Sequence, residues 1–548
     1  MTSTREDRLD SWKEIASFLN RGVRTVQRWE ATEGLPVRRH QHRRLGSVYA
    51  LKSELSAWWK SRSADLTPAQ TAPSLTEPGT DRKLRLLVLP FENLSADASQ
   101  EHLADGFTEE LITQLARLKP KRLAVIARAT AMHYKGTRKR ADRIARELKL
   151  DYLLEGSLRR ESSEVRVTAQ LIQASDQTHR WAQTYDRDLA SALVLQSEVA
   201  AAIANEINLA LSPEVKATLA VKRPVSAAAH EDYLKGRYYL NRPHPESLAQ
   251  AVAWFESAIV KDAGFPLAYA SLSHALALLA MVPFDVLPPH ASMPKARMAA
   301  MRALELDPQL PEAHAALAVV RHHYEWDWKG AEQAYQRALE LNGEYPGARL
   351  RYAWLLLSLS RKEEAFREIE HAQRTAQETD PHLLVVIRAT RAAAFYFARE
   401  YDLCIRVCFE AMELDPNYFL LHYLLARAHA RKGAHKKAGA VLKKIGAHQE
   451  NISLMSMAAG LLYAVMGRKS QARAVVKYLH GEAAKRYVPA TYIGILHAGL
   501  GDAEAAFEWL EQAYEERADG LTLLNVEPMV DGLREDPRFQ SLIKRIGF

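Results

Sequence analysis

Three glycines, Gly433, Gly467 and Gly501, stand 34 residues apart, and this period constrains the chain more than any other feature. Ala438, Ala472 and Ala506 keep the same step, as do Ala426, Gly460 and Gly494. One period earlier these two series continue as Cys404 and Ala392, both small. Small residues at two fixed places let two helices approach closely, and a glycine between them suits a tight turn. A period of this length specifies a stack of supersecondary units, each burying its apolar face on its neighbours. From about His230 onward the chain therefore reads as helix after helix.

AMELDPNY (Ala411–Tyr418) and ALELDPQL (Ala303–Leu310) add a recurring Asp-Pro ending between units. With the period and the small residues, they make this region resemble the tetratricopeptide repeat. Small-residue pairs place the units at Gly236/Ala251, Ser273/Ala296, Ala318/Ala331, Ala353/Ala365, Ala392/Cys404, Ala426/Ala438, Gly460/Ala472 and Gly494/Ala506. The first three carry insertions, the second a long one containing proline. EPMVDGLREDPRFQSLIKRIGF, at the end, keeps helical texture but breaks the period, as a terminal cap does. The resemblance implies that the first helix of each unit lines a concave surface. Outward residues on those helices, among them Arg349, Arg391, His422 and Tyr492, are then candidates to hold an acidic or amphipathic protein segment.

The other end of the chain differs in texture. From Arg5 to Arg62 there are 13 Lys and Arg against 7 Asp and Glu, while the whole chain carries a net charge of only +8. SWKEIASFL opens with a capping box, Ser11 with Glu14, and sets Trp12, Ile15, Ala16 and Leu19 on one face. NRGV gives a short turn, and RTVQRWEATEG a second helix with Val26 and Trp29 inward. Arg24, Thr25, Gln27 and Arg28 are left outward, suited to base edges and phosphates. LPVRRHQHRRLGSVY reads as a hairpin wing whose Arg38, Arg39, Arg43 and Arg44 meet phosphates. LKSELSAWWK is a third helix that packs Leu51, Leu55 and Trp58 or Trp59 on the first two. TVQRWE and GSVY, in this order of elements, resemble the winged DNA-binding domains of MerR-type regulators and excisionases. The plainer reading is a small helical bundle with a solvated basic hairpin. His40 and His42 lack Cys or carboxylate company and read as polar wing residues rather than metal ligands.

SADLTPAQTAPSLTEPGT, Ser63–Thr80, is a Pro/Ser/Thr-rich linker. LRLLVLPF and RLAVIA then read as buried strands, ADGFTEELITQLARL as an amphipathic helix and VRVTAQLIQA as an alternating strand, which implies an α/β domain. LLVLPFENLSADASQEHLADGFTEELITQLARL, VIARATAMHYKG, IARELKLDYLLEGSLRR and VRVTAQLIQASDQTHRWAQTYDR together resemble the TolB-like amino-terminal domain, which in bacteria is often fused to regulatory heads and tetratricopeptide tails. The chain lacks the export signal and propeller of TolB itself, so a periplasmic role does not carry over. The resemblance supplies no catalytic residues. Candidate surface groups are Asn93, Asp105, Arg128, Glu155, Ser157, Arg159, Trp181 and Tyr185, although Asp105 and Glu155 also suit helix-start and turn chemistry.

At 548 residues the chain is too long for one core. The expected fold is multidomain and mainly α. Residues 1–62 form a winged helix-turn-helix head, 63–82 a linker, 83–212 the α/β domain and 228–548 the solenoid with its cap. Two cysteines give no disulfide framework, and MTSTREDRLD is no signal peptide, so a cytoplasmic protein is expected. The longest uncharged run, Ala263–Phe284, holds Pro266, Ser271, Ser273, His274 and Pro283 and reads as a buried repeat helix rather than a membrane span. Cys404 and Cys408 fall at core positions of a repeat. GRKS at Gly467 lacks the first glycine of a phosphate loop, and His322–His323 beside Trp326 and Trp328 marks an irregular repeat. With no His-Glu-x-x-His, Gly-x-Ser-x-Gly or nucleotide fingerprint, the sequence predicts no enzyme, cofactor or metal. It predicts a transcriptional regulator that binds duplex DNA, with the other domains binding a ligand or protein. Homodimers on symmetric sites fit such heads, though no heptad repeat supplies one. The alternative is a scaffold in which the solenoid carries the function and the head binds no DNA.

Overall fold

In the computed structural model the described residues of the head are 7–19, 26, 30, 35–40, 47–56 and 58. From residue 83 onward all are described except 96, 98–99, 119–121, 138, 162–163, 189–191, 208–224, 242–244, 344, 380–382 and 446–451. The chain divides into two units, Met1–Asp81 and Arg82–Phe548.

In the first unit, β1 (Arg8–Leu9), α1 (Trp12–Phe18), β2 (Arg38–His40) and β3 (Ser47–Leu51) surround a small core. The sheet order is β1-β3-β2, antiparallel throughout, with Arg38 opposite Tyr49 and Arg39 opposite Val48. Ser11 caps α1 by accepting from the Glu14 N–H at 3.2 Å, while Glu14 accepts from the Asp10 N–H at 2.8 Å. That reciprocal pair satisfies two amides which helix geometry leaves unbonded. Ile15, Val26, Ala50 and Leu55 are fully buried, with Trp12 and Trp58 packed against them.

The second unit begins with β4 (Leu84–Val88), β5 (Glu92–Asn93), α2 (Glu101–Leu118), β6 (Leu123–Val125), α3 (Arg128–His133), α4 (Ala141–Leu148), β7 (Tyr152–Glu161), β8 (Glu164–Gln173), β9 (His179–Asp188) and α5 (Ala192–Glu206). Strand order is β6-β4-β7-β8-β9, and β5 also pairs with β7. β4 runs parallel to both β6 and β7. A strand buried between two parallel neighbours reads as a continuous apolar run, which LRLLV supplies. β7, β8 and β9 form an antiparallel meander. There β8 alternates buried with exposed or half-buried residues over most of its length, as one covered face requires.

Helices then follow in pairs: α6 (Ala227–Leu240) with α7 (Pro245–Lys261), α8 (Pro266–Ala280) with α9 (Pro289–Leu306), α10 (Pro311–Val320) with α11 (Trp328–Leu341), and α12 (Pro346–Ser358) with α13 (Lys362–Thr379). Four more pairs are α14 (Leu383–Phe397) with α15 (Tyr401–Met412), α16 (Phe419–Arg431) with α17 (His435–Ile445), α18 (Ile452–Val465) with α19 (Lys469–Ala483), and α20 (Ala490–Leu500) with α21 (Ala503–Glu516). The protein is thus multidomain and mainly α, with a tetratricopeptide-like solenoid. Each pair contains one of the small-residue couples named above, and all of those residues are buried. Proline at the first helical position starts α8, α9, α10 and α12, where the missing N–H costs nothing. Gly433, Gly467 and Gly501 take φ of 73°, 70° and 76° in the turns, which glycine adopts without strain. Two short 3₁₀ segments, Asp519–Leu523 and Pro528–Leu533, and α22 (Pro537–Ile546) end the chain. None of the described helices is long and apolar enough to cross a membrane.

Candidate functional site

In the head, the Arg38 guanidinium is exposed on β2 and lies 2.6 Å from Glu54. Arg8 stacks over the Tyr49 ring at 4.1 Å on the same sheet. Arg39 lies on β2, but its side chain, like all of Arg24, Thr25, Gln27, Arg28, Trp29, His42, Arg43 and Arg44, falls outside the described residues.

The groove expected along the first helices of the repeats is filled by the chain itself. Asp519 accepts from His323 Nδ1 at 2.5 Å and from the Val282 N–H at 3.0 Å. Asn525 reaches Ser360, and Glu527 accepts from Arg427 at 2.5 Å with both side chains buried. Asp531 binds Arg399 at 2.6 Å and stands 3.5 Å from Arg431. Met529 packs among Ala426, Leu461 and Leu462, and Trp328 donates to the Ile546 carbonyl at 3.0 Å. The segment after Ala518 is therefore a ligand held in place by covalent continuity.

Backbone strain collects along this contact. Asp285, Trp326, Ser360, Arg399 and Arg517 all have positive φ, a region that non-glycine residues rarely occupy. Arg399 stands one period before Gly433, in the turn where the repeat favours glycine. Its side chain binds Asp531; that of Ser360 receives Asn525; and Arg517 stacks over Trp326 at 4.1 Å. The five-residue π turn Arg321–Glu325 supplies His323 and leads into Trp326.

The solenoid residues picked from the sequence do not line this groove together. Tyr492 corrects the expectation of an outward side chain: it is buried, and its hydroxyl donates to Asp285 at 2.5 Å. A first-helix tyrosine packs inward here because the long insertion after α8 brings a carboxylate to meet it. Arg349 binds Glu368 at 2.5 Å and the Gly343 carbonyl at 2.8 Å. His422 donates to the Pro416 carbonyl at 2.7 Å, and Arg391 lies over the Phe395 ring at 5.7 Å. Sequence reasoning missed Arg427, Arg399, Arg431 and His323, the side chains facing the terminal segment. Its available signal was an arginine in the turn position that glycine fills elsewhere.

A third region lies between the α/β layer and the first repeats. Gly106 on α2 permits close approach of α6, for a Cβ there would fall 2.5 Å from Leu234. Tyr233 donates to Glu110 at 3.1 Å, Asn241 to Glu109 at 2.8 Å, and Arg237 also binds Glu109. Arg128 stands 3.0 Å from the same Glu109. Beside this network is a cavity of about 400 Å³, lined by α2, β6, α6, α8 and α10. Arg128 is the one α/β candidate that reaches it. Asp105 is buried against Lys135; Arg159 is exposed and 3.5 Å from Glu161; Asn93 accepts from the Ser95 N–H at 3.0 Å. Trp181 and Tyr185 pack on the core, while Glu155 and Ser157 are half-buried on β7.

Residues 82–202 match the family described as the HilA/YgeH-like transcriptional regulator, second domain. The α/β layer is similar to a regulator domain. A putative adenylate cyclase 3 of Rhizobium meliloti is 31% identical over 247 residues, which is 44% of this chain and 41% of that protein. The chain thus spans less than half the length of that relative. This finding overturns the expectation that the chain is no enzyme, since absent motifs cannot outweigh a relative named for catalysis. Among solved structures, PilF of Pseudomonas aeruginosa is similar at 18% identity and TM-score 0.31, covering 40% of this chain and 91% of its own. A tetratricopeptide repeat protein of Parabacteroides merdae has 17% identity and TM-score 0.37, covering 50% and 99%. Yeast Tom70 has 14% identity and TM-score 0.37, covering 65% and 82%.

Proposed function

We propose that the protein is a DNA-binding transcriptional regulator in which residues 1–62 read duplex DNA, 63–82 link, and 83–212 with 228–548 receive a ligand or protein signal. The observation that carries this reading is the similarity of residues 82–202 to a domain of transcriptional regulators. The antiparallel β2–β3 hairpin, with Arg38 and Arg39 on its outer strand, supports it. Arg24, Thr25, Gln27 and Arg28 would face the groove, and Arg38, Arg39, Arg43 and Arg44 the phosphates. Arg349, Arg391 and His422 stay as candidates for an acidic or amphipathic partner segment, and Tyr492 leaves that set.

Anisotropy of the full chain on duplex DNA across salt tests the reading. If four wing arginines engage, log affinity should fall with log salt at a slope of about −4 or steeper, at roughly 0.9 per phosphate. Alanine at Arg38, Arg39, Arg43 and Arg44 should flatten it. An unchanged slope removes the wing from the interface, and absence of binding at low salt ends the reading. The same preparation should be assayed for conversion of ATP to cyclic AMP, because the cyclase-named relative makes enzymatic activity a property to measure.

A further inference from the structure

Among the described residues, the cavity between the α/β layer and the first repeats is lined by two buried hydrogen-bond donors without a partner, the Nε of Arg128 and of Arg237, beside the carboxylates of Glu109, Glu110 and Glu312. Glu109 accepts from Arg237 and Asn241, and Glu110 already accepts from Tyr233. Arg128 Nε stands 3.0 Å from Glu109 but makes no hydrogen bond there, so this buried N–H is left without a partner. Arg237 lies deep in the protein, yet its side chain keeps 22% exposure, surface that the cavity explains. Its Nε is buried without a partner. His274 also lines the cavity, and its Nε2 takes a hydrogen bond from Arg351 at 2.5 Å. Burial first, and Arg351 second, push His274 well below the usual histidine range. A neutral ring that accepts at Nε2 carries its proton on Nδ1, which adds another donor.

The lining also has an apolar part, Ile112, Ala116, Leu240, Leu267, Ala316 and Val319, together with Lys83 and Glu312. A buried donor left unsatisfied is costly, and the unpartnered Nε of Arg128 and of Arg237 are donors of the kind that meet an oxyanion. The volume is that of a small-molecule site. We propose that this cavity binds a small organic anion, its oxyanion head on Arg128, Arg237 and His274 and a short apolar body against Ile112, Leu240 and Val319. The proposal rests on the regulatory reading only for its purpose; ligand binding is measured without DNA. Because α2, β6, α6, α8 and α10 all line the cavity, a bound anion would clamp the α/β layer to the repeats. Its seat would thus be a signal-input site.

The test is isothermal titration and thermal melting of the full chain with hexanoate, hexyl phosphate, hexylammonium and hexanol. Hexanoate or hexyl phosphate should bind with a dissociation constant of about 1 mM or below, as an efficient ligand of this size can. Which of the two binds tighter identifies carboxylate or phosphate as the head group. Hexylammonium and hexanol should bind at least about tenfold more weakly, the worth of one charge-assisted hydrogen bond. Arg128→Gln should lose anion binding by a similar factor. Ala116→Phe should abolish it by filling the apolar end, with no charge altered and folding checked by circular dichroism. Equal binding of hexylammonium and hexanoate, anion binding that survives both substitutions, or no anion binding at all would each overturn the proposal. None of these outcomes bears on DNA binding, which the salt titration decides separately.

Discussion

Along the first repeats, the inner face of the solenoid meets the α/β layer and keeps a cavity of about 400 Å³ rimmed by arginines. Along the later repeats, the same kind of face is filled by the chain's own terminal segment, with Arg427 and Glu527 paired in its depth. Both halves are built from the same helix pairs with the same buried small residues. The difference teaches that a repeat period fixes how helices pack on each other, and leaves open what their inner face receives. Where covalent continuity supplies the occupant, Asp519, Glu527 and Asp531 each meet a side chain of the repeats. In the cavity, donors of Arg128 and Arg237 remain unbonded.

The largest expected effect sharpens this contrast at the filled half. Arg427→Ala should cost about 3–5 kcal/mol, because it leaves Glu527 buried without its cation. Urea denaturation measures it. Arg427→Met combined with Glu527→Leu should recover most of that loss, since two apolar groups need no partner. A small loss for Arg427→Ala alone would show that the terminal segment is not firmly seated.

The cavity half should be the more acid-sensitive. His230, on α6, is buried with Nε2 unpartnered, and burial pushes it down to about 4. The unfolded chain takes up this proton near pH 6.5 and the folded chain only near 4, so stability falls as pH drops through that window. The loss from this group reaches about 3 kcal/mol at the acid end. His230→Leu should flatten the pH dependence of the melting temperature between those limits. An unchanged profile would assign the acid sensitivity to other histidines.

Glycine packing gives a smaller difference. A Cβ at Gly236 would fall 2.5 Å from the Phe255 ring, whereas at Gly460 it would meet the end of Leu496 at 2.6 Å. Both side chains are fully buried, but the ring is rigid while the end of a leucine can change rotamer. Gly236→Ala should therefore cost about 1–3 kcal/mol and Gly460→Ala less, both read by denaturant midpoint. Equal losses would mean that Leu496 is as confined as Phe255.

The smallest effect is expected at the half-buried pair of Arg349 with Glu368. Arg349→Gln together with Arg391→Gln should change stability by about 1 kcal/mol if Arg349–Glu368 contributes no more than an exposed ion pair does. A larger loss in thermal melting would make Arg349 a structural residue and remove it from the candidate partner contacts.

Much of this architecture was legible because periodicity is a local signal. LRLLV, VRVTAQLIQA and ADGFTEELITQLARL became β4, β8 and α2, and Ser11 with Glu14 became the cap of α1. Tyr492 was misread for the same reason. Spacing places it on a first helix but cannot show that Asp285, 207 residues earlier in sequence, arrives to accept its hydroxyl. Arg427 is similar, for nothing in LLARAHAR announces Glu527, 100 residues away.

By itself the sequence determined the helix pairs, their small-residue contacts and the turns at Gly433, Gly467 and Gly501, since each depends on residues within one or two repeats. Tertiary structure alone decided that Asp519, Glu527 and Asp531 would meet His323, Arg427 and Arg399, and that Arg128 would face a cavity beside His274. These pairings join polar and charged groups far apart in sequence. Burial makes an unpaired charge costly, and only the folded path of the chain determines which opposite charge is near enough to relieve it.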